Sequence, residues 1–242
     1  MEIIISETRQ SSGAEASHTG ADLIHKAILG KGEANIILAT GASQFEMLKE
    51  LVNEDINWSR VRAFHLDEYI GISENHPASF RKYLKERFVD IATPMEFNYI
   101  NGNADPNMEC IRIGELIRKH PVDVAFVGIG ENTHLAFNDP PADFETEEEY
   151  LVVTLNEACR RQQMGEGWFK TIQDVPEKAI SMSIKQIMKS KAIICTVPDL
   201  RKAEAVKKTV EGSISPEIPA SILRNHEAVW LYLDKDSSSL LS

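Results

Sequence analysis

Apolar residues along this chain fall into two interleaved patterns. Short continuous runs occur at Ile3–Ile5, Ile36–Ala39, Ala63–Leu66, Val122–Val127, Leu151–Thr154, Ile180–Ser183, Ala192–Thr196 and Val229–Leu233. Several are rich in Ile and Val and apolar on both faces, which predicts strands covered on both sides. Between them, Glu15–Leu29, Gln44–Val52, Ser79–Val89, Met108–Lys119 and Leu200–Glu211 carry apolar residues at three- and four-residue spacing, which predicts helices. Ser79 and Asp199 stand where helix N-caps belong. Strand–helix–strand alternation implies an α/β fold: a mainly parallel sheet with helices on both faces. No repeat, low-complexity linker or coiled coil interrupts the pattern, so residues 1–242 are expected to form a single domain. The acidic stretch Phe144–Tyr150 reads as a solvated segment or, functionally, as a lid. The tail DKDSSSLL is expected to be frayed.

Composition narrows the classes. A chain of 242 residues can bury one sizeable core. Its formal net charge of −11 argues against a general nucleic-acid partner, because phosphate backbones are held by clustered Lys and Arg. A small anionic ligand stays compatible, since a few local donors override the global sign. Cys110, Cys159 and Cys195 are far apart and form no CxxC pair, which predicts reduced thiols and no zinc site or disulfide framework. The N-terminal MEIIISETRQ has an acid where a signal peptide has basic residues. No stretch approaches the roughly 20 apolar residues that span a bilayer. These features predict a soluble, cytoplasmic protein with no membrane partner.

Ligands of open α/β sheets bind beyond the carboxyl ends of the strands, and four loops in that position carry suitable chemistry. Thr40-Gly41-Ala42-Ser43 follows the second run; it is either an anion cradle with hydroxyl and backbone donors or an ordinary turn capped by Ser43. Asp67-Glu68-Tyr69 follows the third. On an extended segment the two acids point opposite ways, so one of them, a candidate general base, faces the ligand. His65, two residues back, reads as a packed histidine more readily than a catalytic one. Gly128-Ile129-Gly130-Glu131-Asn132-Thr133-His134, continuing through Phe137-Asn138-Asp139-Pro140, follows the fourth. His134 suits proton transfer near neutrality, and Asp139 and Asn132 could orient it. No HExxH or His-x-His pattern points to a metal. Lys202, beyond Val197-Pro198-Asp199, is either a countercharge for phosphate or a solvated helix lysine.

Together these stretches resemble the glucosamine-6-phosphate deaminase/isomerase family. LATGAS (Leu38–Ser43), FHLDEYIGI (Phe64–Ile72), HPASF (His76–Phe80), INGNA (Ile100–Ala104), GIGENTHLAFNDP (Gly128–Pro140), DVPEKAISMSI (Asp174–Ile184) and RKAEAVKKTVEG (Arg201–Gly212) follow family order along almost the whole chain. The resemblance implies a Rossmann-like three-layer α/β/α sandwich. It also implies conversion of a 2-amino-2-deoxyhexose 6-phosphate and water to the ketose 6-phosphate and ammonia, without a metal or organic cofactor. By the same resemblance Asp67 moves the proton between C2 and C1. His134 protonates the ring oxygen, Asp139 tunes it, and Asn132 holds a position that is Asp or Asn in the family. Thr40, Gly41, Ala42, Ser43 and Lys202 form the phosphate cradle.

The chain also departs from the family pattern. Thr133 replaces a glycine before the histidine and would be strained if that position needs φ > 0. Asp139 is one methylene shorter than the usual Glu, with doubtful reach to His134. His65 replaces a common Asn. A phosphate-binding arginine of the larger enzymes has no clear counterpart in CRRQQMGEGWF, where Arg160 is the better substitute candidate than Arg161. These departures leave galactosamine 6-phosphate open as substrate. A 6-phosphogluconolactonase or a non-catalytic sugar-phosphate-binding regulator are further alternatives; lactonases typically show DER where this chain has DEY. The Arg and Lys that bind an allosteric N-acetylated sugar in the hexameric enzymes fall at Leu151 and Val153, which fits a monomer or small homo-oligomer. Adding N-acetylglucosamine 6-phosphate is therefore expected to leave the steady-state rate unchanged; a rate increase would refute this.

Overall fold

The computed structural model describes all residues, Met1–Ser242. Ten strands form: β1 (Glu2–Ser6), β2 (Ala34–Leu38), β3 (Val61–His65), β4 (Asp67–Tyr69), β5 (Glu96–Asn98), β6 (Val124–Val127), β7 (Tyr150–Thr154), β8 (Lys178–Met182), β9 (Ala192–Val197) and β10 (Val229–Asp234). Seven build one sheet in the order β1-β10-β9-β6-β2-β3-β5, with every neighbouring pair parallel. The order reverses between β2 and β6: the chain leaves β2 toward β3 and β5, and leaves β6 toward β9 and β10. The loops after these two adjacent strands open a crevice at that switch point.

Residue alternation along the strands explains why both faces are covered. Ile36 and Leu38 of β2, Phe126 of β6 and Ile194 of β9 enter one core with Ile24, Met47, Leu48, Leu84 and Phe88. Ile37, Ala125, Val127, Ile193 and Cys195, one step out of phase, enter the other core with Ile113, Ile117, Val206 and Leu223. The sheet is thus sandwiched between helices, with Arg9–Lys31 and Phe45–Leu51 on one side and Pro106–Lys119 and Ala203–Glu211 on the other.

Two predicted strands do not join this sheet. Leu151–Thr154 and the Ile180–Ser183 segment fall in β7 and β8, which pair antiparallel with each other and with β4 in a separate three-stranded sheet. Both faces of it are covered at β4 and β8: Ile180 and Met182 enter the second core with Tyr150, while Tyr69 and Ala179, one step out of phase, enter a third apolar cluster; the outer strand β7 leaves Val152 exposed. The predicted frayed tail is instead tied down: Lys207 donates to the Leu240 carbonyl and Ser242 N–H to Glu211. The acidic stretch faces cations on the flank rather than closing over the crevice. Glu147 pairs with Lys185, and Glu149 with Arg118. No helix is long and apolar enough to cross a membrane.

Gly20, in the helix Arg9–Lys31, marks a close helix–sheet approach: a Cβ there would lie 2.3 Å from Phe126 Cε1. Gly20→Ala is expected to cost about 1–3 kcal/mol through overpacking, read as a lower urea midpoint with an unchanged m-value.

Candidate active site

The loops after β2, β3, β6 and β9 converge on one cleft. Thr40, Gly41, Ala42, Ser43, Asp67, His134 and Lys202 all line it. Thr40 to Ser43 lead through a 3₁₀ turn (Ala42–Gln44) into the helix Phe45–Leu51, where the first N–H groups lack helical partners. Ser43 does not cap this helix, which has no side-chain cap. Instead the cradle is pinned from below. Buried Gln44 donates to Ser43 Oγ, the Val127 carbonyl and Thr196 Oγ1, joining the turn to β6 and β9. Lys202 reaches the same end from beyond β9; burial lowers its ammonium pKa, against the pull of Glu166.

Asp67 and Glu68 do point opposite ways. Glu68 is fully buried behind the strand and accepts from the N–H groups of Tyr69, Phe80 and Arg81, from Ser79 Oγ, and from Arg81 Nε at 3.1 Å. Asp67 turns into the cleft. Its Oδ1 has no hydrogen-bond partner, and burial, reinforced by the Glu68 charge, pushes its carboxyl up to about 8. His65 is fully buried outside the cleft; its Nδ1 accepts from Ile100 N–H, and burial together with Arg81 lowers its imidazole to about 3. It is a packed, neutral histidine.

The two glycines after β6 line the cleft and also make room for neighbouring side chains. A Cβ on Gly128 would sit 2.5 Å from Ser43 Oγ, and one on Gly130 would sit 2.3 Å from the His134 ring. Thr133 does adopt φ = 71°, and Ala136 follows at 52°, so this loop holds two non-glycine residues in the left-handed region. The shorter Asp139 still reaches the histidine: Oδ1 lies 3.2 Å from His134 Nδ1, at ion-pair distance though not in regular hydrogen-bond alignment. Asn132 Nδ2 donates to Asp139 Oδ1, and Asn156 N–H donates to Oδ2. Burial acts to raise the Asp139 carboxyl, but His134, Asn132 and Asn156 outweigh it and hold it below the usual range. Asn132 thus orients Asp139 and does not itself line the cleft. His134, Asp139 and Cys159 offer ligand atoms within 4.8 Å of one another. Burial and the nearby carboxylates push the Cys159 thiol far up.

The helix Glu157–Gly165, absent from the predicted elements, supplies a wall. Gln162, Gln163 and Glu166 line the cleft. Gln162 Oε1 accepts from Glu131 N–H, and Gln163 Oε1 accepts from the Tyr69 hydroxyl at 2.7 Å. Arg160 does not line the cleft, contrary to expectation. Its guanidinium faces the other side of this helix and donates to the Ile172 and Val175 carbonyls. The polarity of QQMGE hid the helix, since it offers little apolar periodicity, although Asn156 as N-cap was available as a signal.

Comparison with known proteins agrees with this geometry. Residues 7–231 match the family model described as glucosamine-6-phosphate isomerases/6-phosphogluconolactonase. The chain is 36% identical to a glucosamine-6-phosphate deaminase of Listeria monocytogenes over 245 residues, covering all of both chains. It is 36% identical to that of Clostridium acetobutylicum over 94% of this chain and 96% of the relative. Among solved structures, a monomeric glucosamine-6-phosphate deaminase superposes with a TM-score of 0.90 at 33% identity, covering 99% of this chain and 100% of that one. A Thermotoga maritima 6-phosphogluconolactonase superposes at 0.81 with 14% identity over 97% and 99%, a likeness of fold alone. The protein is an enzyme of the glucosamine-6-phosphate isomerase/6-phosphogluconolactonase family.

Proposed function

We propose that the chain is a glucosamine-6-phosphate deaminase: it converts glucosamine 6-phosphate and water to fructose 6-phosphate and ammonia. The observation that carries this reading is that an unpartnered carboxylate, Asp67, faces the same cleft as a carboxylate-backed histidine and an anion cradle. Lactone hydrolysis has no use for a base at a sugar carbon. An aldose–ketose shift requires one that reaches both C1 and C2.

Each residue then has a task. Thr40 to Ser43 and Lys202 hold the phosphate, and this remote binding energy positions the sugar. His134 protonates the ring oxygen so that the ring opens, and Asp139 stabilises the imidazolium that supplies the proton. Asp67 takes the proton from C2 and returns it to C1, leaving an imine at C2 that water hydrolyses to release ammonia. Each proton transfer contributes about 10²–10⁴-fold.

Thr133 and Asp139 sit beside the reacting end, so the galacto epimer is a direct competitor as substrate. Ammonia release from glucosamine 6-phosphate and galactosamine 6-phosphate, compared by kcat/KM, is expected to favour the gluco sugar. No release from either would sink the deaminase reading.

Asp67→Asn is expected to abolish both turnover and solvent-deuterium exchange at the substrate carbon; surviving exchange removes Asp67 from the role of base. The same variant has a stability signature. A carboxyl raised in the fold from 3.8 to about 8 keeps its proton between those values only when folded. Its contribution is complete below pH ~4 and is lost as pH rises to about 8. Urea unfolding of the wild type should therefore lose stability over that window, relative to Asp67→Asn. Parallel curves would mean that Asp67 is not so perturbed.

A further inference from the structure

The two glutamines on the helix Glu157–Gly165 are spent differently. Gln162 uses both ends of its amide: Oε1 accepts from Glu131 N–H, and Nε2 donates to Glu166 Oε1 at 3.0 Å. Gln163 uses one end. Its Oε1 accepts from the Tyr69 hydroxyl at 2.7 Å, while its Nε2 has no partner in the protein and is not sealed from solvent. Only 5% of Gln163 is exposed and the residue lines the cleft, so the open end of its amide faces the cleft. The opposite orientation would leave the phenol hydrogen without an acceptor. It would also bring a carbonyl oxygen to a cleft that already holds Asp67 and Glu166. The phenol keeps its hydrogen, because burial, with Cys159, Glu166, Asp67 and Glu68 nearby, raises its pKa well above the ordinary value. Its ring is held by Phe80, Phe137 and Phe169 at centroid distances of 4.9, 5.2 and 5.6 Å. Tyr69 follows Asp67 by two residues on β4 and so shares its face of the strand.

We propose that Gln163 is a sugar-binding residue whose amide nitrogen donates to a neutral oxygen of the ligand, and that Tyr69 is the positioning residue that holds the amide in this sense. The inference rests on the sugar-phosphate reading above and adds a contact to the sugar that the base, the histidine and the phosphate cradle do not supply. The phosphate is not the target, since Lys202 and the Thr40–Ser43 turn already serve that end. A neutral donor on the Asp67 side of the cleft orients the sugar without adding net charge beside a carboxyl whose proton has to come and go. An amide NH₂ donates and does not accept. It therefore favours a ligand that brings an oxygen lone pair to that point and rejects an analogue that lacks it, because the donor is then left unpaired.

The test is calorimetric titration with fructose 6-phosphate and, separately, with inorganic phosphate. Gln163→Met keeps the length of the side chain and removes its amide. It is expected to weaken fructose 6-phosphate about 3–10-fold while leaving inorganic phosphate within about twofold of wild type. Tyr69→Phe is expected to weaken fructose 6-phosphate as well, but to add nothing in the Gln163→Met background, because it acts through that amide. Unchanged fructose 6-phosphate binding by Gln163→Met, or an equal loss for both ligands, overturns the proposal; losses that multiply in the double variant overturn the role of Tyr69. Should Gln163→Met misfold, the wild type decides. The side-chain amide resonances of Gln163 should move when fructose 6-phosphate is added and stay in place with inorganic phosphate, and resonances that ignore the sugar overturn the proposal. Wild type that binds no fructose 6-phosphate would instead refute the sugar-phosphate reading, and the proposal with it.

Discussion

A carboxylate with no access to solvent must be met by donors or lose its charge, and Glu68 is met on every side. Three backbone N–H groups, the Ser79 hydroxyl and the Arg81 guanidinium converge on it. Arg81 is in turn held by the Ile72 carbonyl and the side chains of Asn101 and Asn103. Because adjacent strand residues face opposite ways, committing Glu68 to this nest commits Asp67 to the cleft. The same negative charge adds to burial in raising the Asp67 carboxyl. One buried ion pair therefore fixes where Asp67 points and adds to the burial that raises its carboxyl.

The fold was largely legible because its core strands are apolar on both faces and its main helices are periodic. What escaped was set by pairing rather than by composition. Leu151–Thr154 and Ile180–Ser183 read as strands correctly, yet nothing in their residues says that their partners are each other and the three-residue Asp67–Tyr69 segment. Glu96–Asn98 was too short and polar to register. In the site, the residues after strand ends were visible because exposed chemistry at those places has few structural reasons to exist. Gln162, Gln163 and Glu166 were not visible, because they lie on a polar helix that does not follow a strand of the main sheet. Arg160 has the charge a phosphate needs, but its guanidinium serves carbonyl groups on the far side of that helix.

The histidine loop shows what the departures from the family pattern entail. Thr133 occupies a left-handed conformation that disfavours a β-branched residue, so the surrounding structure must hold it. Its N–H donates to Gly130 and its carbonyl accepts from Ala220 N–H, which ties the loop to itself and to the segment before β10. Asp139 makes up for its lost methylene because Asn132 and Asn156 hold it from two sides. The cost of an unfavourable residue is thus borne by neighbours that also aim the imidazole.

The junction at Leu66 divides the machinery between two sheets. Leu66 N–H still bonds to Leu38 of the parallel sheet, while its carbonyl already accepts from Met182 N–H of the antiparallel one. Asp67, one residue on, belongs to the small sheet; the anion cradle and the histidine loop hang from the large one. Asp67 and the Thr40–Ser43 turn are therefore carried on different sheets, and the histidine loop is bonded to both, because Phe137 N–H and Asn138 Nδ2 donate to Ser181 Oγ of β8. Mutations that tilt one sheet against the other would change the span between Asp67 and the Thr40–Ser43 turn. A fold arranged in this way can be refitted to ligands of different length or shape without rebuilding either sheet.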